Sequence, residues 1–354
     1  MPGEKDWCAV VMPCLNEQEN LLAACRSLGF APAQKTPERC FLVLVDNGST
    51  DETLDTCRML RSVVGEAVIV AEEPIRGHVP ARHCGNLFAA QHALSRGTAP
   101  ADVIVIQADA DTQYSPGYVD SVREAIWASS AGAPIGQAVT LFPPDFKAAY
   151  PQVFSVLDSV DRTIEQRFGF SRFDVVVDDK ACAYRLGDYE QWGGHRREYF
   201  EDGSEILAET TRLTISGLAH GAERIAIAGA FVVHSQRRLL GDAAQELGAA
   251  GFPYVSRRLF PNTAPVSLDA LEEGVAGGEP RLLASVANFR AAHLVALMAV
   301  LPAHLARILT GEPPADPEIR RMLEGMPRRS VNEAMAFPGR LLGDVLQFAL
   351  AASA

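Results

Sequence analysis

The sequence predicts an α/β protein: a mostly parallel, Rossmann-like sheet flanked by helices, followed by a helical C-terminal extension. Three observations carry this. Short apolar runs rich in β-branched residues recur at 8–12 (CAVVM), 41–45 (FLVLV), 67–71 and 103–106 (VIVI). Runs without polar alternation are strands buried on both faces, as parallel strands are. Segments of helical pattern lie between them, and strand–helix–strand alternation brings successive strands back parallel. Finally, Asp109-Ala110-Asp111 follows the fourth run, and open α/β sheets bind ligands at the carboxyl ends of their strands.

In chain order, the first strand runs into Pro13-Cys14-Leu15-Asn16-Glu17 and a helix over 19–28. Asn16 is placed to cap that helix, with Glu17 and Glu19 complementing its dipole. The second strand ends in Asp46-Asn47-Gly48-Ser49-Thr50-Asp51, a turn that opens a helix to about 64; Asp51 reads as its cap or first-turn acid. After the third strand comes a loop at 76–80 and a helix over 81–94 with Arg82 in its first turn. A guanidinium there would stack on a base, pair with a phosphate or sit in solvent. Beyond a helix at 118–129, Pro134, Pro143, Pro144 and Pro151 loosen the pattern,. Helices are expected at 150–168, 184–192 and 204–216, and strands at 174–177 and 224–233, the last ending at His234. Trp192 is either an acceptor wall or core. Helices are also expected at 281–309, kinked or broken by Pro302, and at 339–352, with a turn-rich linker at 311–317.

The chain has 354 residues, 48% hydrophobic and 21% charged, with a formal net charge of −12. An acidic surface disfavours a nucleic-acid partner. Seven cysteines without a C-x-x-C pair suggest neither a zinc knuckle nor a disulfide framework,, and reduced thiols place the chain in a cytoplasm. The N-terminus lacks the apolar core of a signal peptide. The most apolar window, 294–301, is flanked by His293, Pro302 and His304 and falls short of the roughly 18 residues of a membrane span,.

Chemistry concentrates at strand ends. Two carboxylates at Asp109 and Asp111 suit a hard divalent cation, which in turn suits phosphate oxygens; the plain alternative is an acidic turn. Asp46 can accept from a base N–H or a ribose hydroxyl. His234, with Arg237 and Arg238 after it, can ligate a metal, contact a diphosphate or serve structure alone. Glu201-Asp202 supplies a carboxylate able to take a hydroxyl proton, or a helix N-terminal acid.

Taken in order, these pieces resemble family 2 glycosyltransferases. The matching residues are Pro13, Asn16 and Glu17; Asp46-Asn47-Gly48-Ser49-Thr50-Asp51; Arg76-Gly77 with Ala81, Arg82 and Gly85; Asp109-Ala110-Asp111; Gly193-Gly194; Glu201-Asp202; and His234, over roughly residues 7–240. The resemblance implies a GT-A fold in a 1–240 domain, with 241–354 as a helical extension. It also implies transfer of a sugar, with inversion, from a nucleoside-diphosphate sugar, UDP before other bases, assisted by Mn²⁺ or Mg²⁺. Pro13, Asn16, Glu17, Asp46, Arg82 and Asp109 would then bind the nucleotide, Asp46 reading the base. Asp111, Asp109 and His234 would hold the metal. Asp202 would be the acceptor base, with Glu201 in reserve. The chain departs from the family at His83, where Asn is usual, and after Glu201-Asp202, where the next acid, Glu205, comes one residue late.

The competing readings are a retaining transferase on the same fold, a sugar nucleotidyltransferase and a catalytically silent nucleotide-binding scaffold. The acidic, glycine-free first loop, PCLNEQEN, disfavours the nucleotidyltransferase, and the two acid pairs disfavour the scaffold. The acceptor is not legible. For the Arg-bearing segment 281–354, packing on the core is expected ahead of a peripheral membrane contact or a homodimer contact.

Overall fold

The computed structural model describes residues 7–169, 174–250 and 264–353. Residues 1–6, part of the segment read for a signal peptide, lie outside them. The four expected strands form as β1 (Trp7–Cys14), β2 (Cys40–Asp46), β3 (Val68–Glu72) and β4 (Val103–Gln107), separated by α1 (Leu21–Ser27), α2 (Thr53–Val64) and α3 (His78–Ser95). They run parallel in the order β3-β2-β1-β4. Every residue of β2 and β4 is buried, which is why their sequences carry no polar alternation.

Past β4 the sheet continues β7-β6-β8-β5, built from β5 (Thr112–Tyr114), β6 (Pro134–Leu141), β7 (Cys182–Arg185) and β8 (Glu223–His234), with α4 (Tyr118–Ala128) between β5 and β6. Here β6 and β8 are parallel, whereas β4–β7, β6–β7 and β5–β8 are antiparallel. The sheet is therefore mixed, its parallel character concentrated in the first half. The expected strand at 174–177 makes no ladder; Val175 and Val177 are buried in irregular chain leading to a 3-10 turn at Asp179–Ala181. The helix expected at 184–192 forms over Leu186–Gln191, with Tyr184 and Arg185 belonging instead to the end of β7.

Two compact units emerge: residues to Leu141 with Val177–Arg197 and Glu209–His234, and Phe142–Val176 with Glu198–Ala208 and everything from Ser235. They are not the contiguous blocks 1–240 and 241–354. The first holds the whole sheet and its two apolar layers. Trp192 belongs to one of those layers and is buried. In the same unit α3 lies so close to the sheet that a Cβ on Gly85 would run into Val11. That glycine lets the helix settle onto β1 and β2.

The second unit is helical, with a core that includes Phe154, Leu157, Leu247, Leu271 and Leu283. Its long helix, Arg281–Thr310, passes through Pro302 without a break, in π-helical register over Val295–Val300. Proline lacks an N–H and crowds the carbonyl four residues back; the wider turn just before it absorbs that conflict. At 30 residues this helix is long and apolar enough to cross a membrane, and half of its most apolar window is buried in the protein. The expectation that no segment reaches that length is corrected accordingly.

Candidate functional site

The loops after β1, β2 and β3 are laced together at the carboxyl edge of the parallel strands. Pro13 sits on β1 opposite Val45, beyond the point where the β1–β4 ladder ends at Val11 and Gln107, so its missing N–H costs no bond to β4. Asn16 is not a helix cap. It takes a left-handed conformation (φ 56°), which Asn tolerates, and its Oδ1 accepts from Thr50 N at 2.8 Å. Glu17 N donates to Thr53 Oγ1 at 2.7 Å, and the Glu17 carboxylate accepts from Asn20 Nδ2 at 2.9 Å. Asp51 accepts from Thr53 N and Gln18 N, joining helix start to first loop.

Asp46 is buried at the end of β2. Its Oδ2 accepts from Gly48 N and Ser49 N at 3.1 and 3.3 Å, whereas Oδ1 is buried with no hydrogen-bond partner. Asn47, given no role of its own from the sequence, fastens the next loop: Nδ2 donates to the carbonyls of Glu73 and Ile75, and Oδ1 accepts from Gly77 N. Arg76 donates to the Gly48 carbonyl at 2.6 Å.

Arg82 is neither solvated nor stacked. It is 1% exposed and surrounded by three carboxylates: Nη2 lies 2.8 Å from Asp109 Oδ1 and 3.1 Å from Asp179 Oδ2, and Nε lies 3.2 Å from Glu209 Oε1. Burial works against its charge, but Asp179, Asp109 and Glu209 outweigh it and hold the guanidinium protonated,. Burial, with the Asp179 carboxylate alongside, pushes Asp109 up to about 6 against the pull of Arg82. Burial acts on Asp179 in the same sense, yet Arg82 and Lys180 prevail and hold it below the usual carboxylate range. Lys180 in turn binds Asp178 at 2.6 Å, and Asp178 accepts from Thr140 Oγ1. Behind this cluster, Gln107 Oε1 faces His195 Nε2 at 3.1 Å and Gln107 Nε2 donates to Thr210. Burial and the nearby Arg82 and Arg212 keep His195 neutral, well below the ordinary imidazole value.

Asp178, Asp179, Lys180 and Glu209 were given no role from sequence, yet Asp179 and Glu209 pair with Arg82, and Lys180 and Asp178 extend that network. One signal pointed to them: Asp178-Asp179 follows a short apolar run, as Asp109-Ala110-Asp111 does. The third proposed metal ligand arrives through the sheet. β5 pairs with β8 so that Thr112 faces His234, which sets His234 beside the residue that follows Asp111. Among the described residues no three His, Cys, Asp or Glu side chains converge as a ready metal cage, and Asp109 is already paired with Arg82. The donor set fits a cation held by one or two carboxylates with phosphate oxygens completing its shell.

Glu201 and Asp202 fall in the second unit and do not open a helix; the next one, Glu209–Ala219, begins at Glu209. They occupy the exposed tip of a tight hairpin. Tyr199 bridges Glu205, Phe200 N donates to Ser204 O, and Gly203 takes the left-handed conformation that the turn requires,. Asp202 Oδ1 accepts from Ser204 N at 3.0 Å. The hairpin is anchored within its unit by Glu198, whose Oε2 accepts from Gly339 N at the start of the helix Pro338–Ser353, and by Phe200, which abuts Gly343.

Residues 9–184 match the family model described as Glycosyl transferase family 2, and the chain belongs to that family. Among solved structures it is similar to residues 1–349 of TarS from S. aureus, at a TM-score of 0.44 and 12% identity, covering 96% of this chain and 90% of that one. It is also similar to the mannosyltransferase PcManGT from Pyrobaculum calidifontis, solved with GDP-Man and Mn²⁺, at a TM-score of 0.44 and 16% identity, covering 98% and 85%. No curated protein matches the chain.

Proposed function

We propose that this glycosyltransferase moves a hexose from a nucleoside-diphosphate sugar, UDP-linked before other bases, to an acceptor nucleophile with inversion. The observation that carries the reading is the strand-end geometry of the first unit. Asp46 keeps one buried carboxylate oxygen for a base N–H or ribose hydroxyl, in the sheet whose β4 leads into Asp109 and Asp111. Asn16, Glu17, Asn47 and Arg76 fix the loops around Asp46, so the nucleoside meets preorganised groups. Arg82 holds Asp109 in place. Asp111 and Asp109, with His234 as a further candidate, would carry Mn²⁺ or Mg²⁺. When bound, that cation neutralises charge developing on the departing diphosphate. Asp202, or Glu201 in its absence, is the proposed acceptor base.

The thiols of all seven cysteines are free, which supports the cytoplasmic location that belongs to this reading. For the segment 281–354, burial of half the apolar window of its long helix supports packing within the second unit as its first role. Flotation with liposomes and sedimentation of the purified chain test membrane contact and dimerisation.

The central test is thermal shift and calorimetry with UDP and GDP, in Mn²⁺ or in EDTA. Specific binding stabilises by mass action, so a nucleotide should raise the melting temperature with metal and lose most of that shift with EDTA. Asp111→Asn should lose it too while melting normally alone. Equal nucleotide affinity with and without chelator would remove the metal assignment.

A further inference from the structure

We infer that Cys8 and Cys40 form a redox-active dithiol, a site at which a peroxide converts the pair to an intramolecular disulfide. The two are register partners on parallel β1 and β2. Neighbouring strands lie about 4.8 Å apart, inside the roughly 4.4–6.8 Å between Cα atoms that a disulfide spans. Both side chains lie in the same buried layer on one face of the sheet. Arg123 of α4 brings Nε to 3.3 Å from Cys8 Sγ, and its own position is fixed by Asp120 at 3.1 Å and by the Glu38 carbonyl at 2.5 Å. A guanidinium against one sulfur and a second thiol on its register partner are the parts of a nucleophilic cysteine with its resolving partner.

Access comes from the other side of the pair. Cys40 lines a cavity of about 310 Å³ with Trp7, Arg39 and Phe41. A second cavity, of about 460 Å³, shares the 35–38 wall and is lined by Arg123. Either is large enough to admit hydrogen peroxide.

The molecule contains its own control. Cys14 and Cys57 are also neighbours and are as fully buried as Cys8, but Asp46 lies near them, whereas Cys8 faces the Arg123 guanidinium and Cys40 lines a cavity. The Cys57 hydrogen bond and burial hold Cys14 well above the usual thiol value. Cys8 is held below it, first by the Cys40 hydrogen bond and then, against burial, by Arg123.

The chemistry balances without any further reactant. The Cys8 thiolate attacks one peroxide oxygen and the O–O bond breaks, giving Cys8 sulfenic acid and hydroxide, which leaves as water. Cys40 sulfur then attacks Cys8 sulfur; the S–O bond breaks, and the second water carries off the Cys40 proton. Two thiols lose two electrons and the peroxide gains them.

The test treats the full chain with hydrogen peroxide, blocks remaining thiols after unfolding, and maps peptides by mass. The expected product is a Cys8–Cys40 cross-linked peptide lighter by two hydrogens, with Cys14 and Cys57 recovered as blocked thiols. In Cys40→Ser, the sulfenic acid at Cys8 should persist and be captured by dimedone. Arg123→Gln should slow oxidation, because removing the guanidinium beside Cys8 Sγ leaves less of its thiolate,. Recovery of Cys8 and Cys40 as free thiols, or cross-linking of Cys14 to Cys57 at a comparable rate, would overturn the inference. The map of the unsubstituted chain decides the matter even if a variant fails to fold.

Discussion

Asp46 has one carboxylate oxygen engaged by Gly48 and Ser49 and the other buried without a partner. An unpaired buried acceptor is costly, so it marks a place where a ligand donor improves the protein's own energetics. Asp46→Ala should therefore weaken UDP binding in calorimetry while leaving inorganic diphosphate binding unchanged; if both fall together, Asp46 is structural. Arg82 presents the opposite case, a cation whose three carboxylate partners depend on it. Removing one member of such a buried set typically costs about 3–5 kcal/mol. Arg82→Ala should lower stability by that order in urea unfolding, and Arg82→Lys should not restore it, because a single ammonium cannot reproduce the two-edged fork. Asp46, Asp109 and Asp111 were legible because each closes an apolar run, a local signal. Asp179 and Glu209 were not, because they reach Arg82 across 97 and 127 residues of sequence, a proximity that periodicity does not encode.

The same division governs the elements. β1 to β4 were readable because continuous apolar runs have few meanings inside an alternating pattern. β5, β6 and β7 were missed: one is three residues long, one contains Pro134 and Gly136, and one, CAYR, is too short to show a period. Pro302 misled in the other direction, since its cost is met by the π-helical turn before it. The helix containing it carries a testable titration. His304 is buried and its Nδ1 accepts from Arg307 Nη2 at 3.0 Å; burial first, and then Arg307, lower its pKa to about 4. Unfolded, the imidazole titrates near 6.5, so between these values the unfolded chain binds a proton that the native chain refuses. Stability must then fall as pH drops from 6.5 toward 4, by about 1.4 kcal/mol per unit for this residue. Urea unfolding at pH 6.5 and 4.5 should show the unsubstituted protein losing about 2–3 kcal/mol more than His304→Asn. Equal losses would mean that His304 titrates normally.

At the scale of the whole molecule, the donor motifs and the proposed base belong to different compact units, and the chain passes between these units several times. Inverting transfer is a single displacement in which the acceptor attacks the anomeric carbon from the face opposite the departing diphosphate. A hydroxyl attacks well only as its proton leaves, so a carboxylate is required that does not also hold the donor. Every acid around Arg82 fails that condition: Asp109 and Asp179 are tied to one guanidinium, and replacing either disturbs the other. Asp202 meets it. It stands on an exposed hairpin tip, shaped by Ser204 and Gly203 and anchored through Glu198 to the C-terminal helix. Loss of a general base costs roughly 10²–10⁴-fold in rate. Asp202→Asn should lose turnover by that order and still bind UDP with Mn²⁺ normally, whereas Asp179→Asn should alter binding as well as turnover, through Arg82. The product of the unsubstituted enzyme should carry the anomeric configuration opposite to that of the donor. Near-native turnover in Asp202→Asn would transfer the base role to another carboxylate, and a product retaining the donor's configuration would remove the single-displacement mechanism.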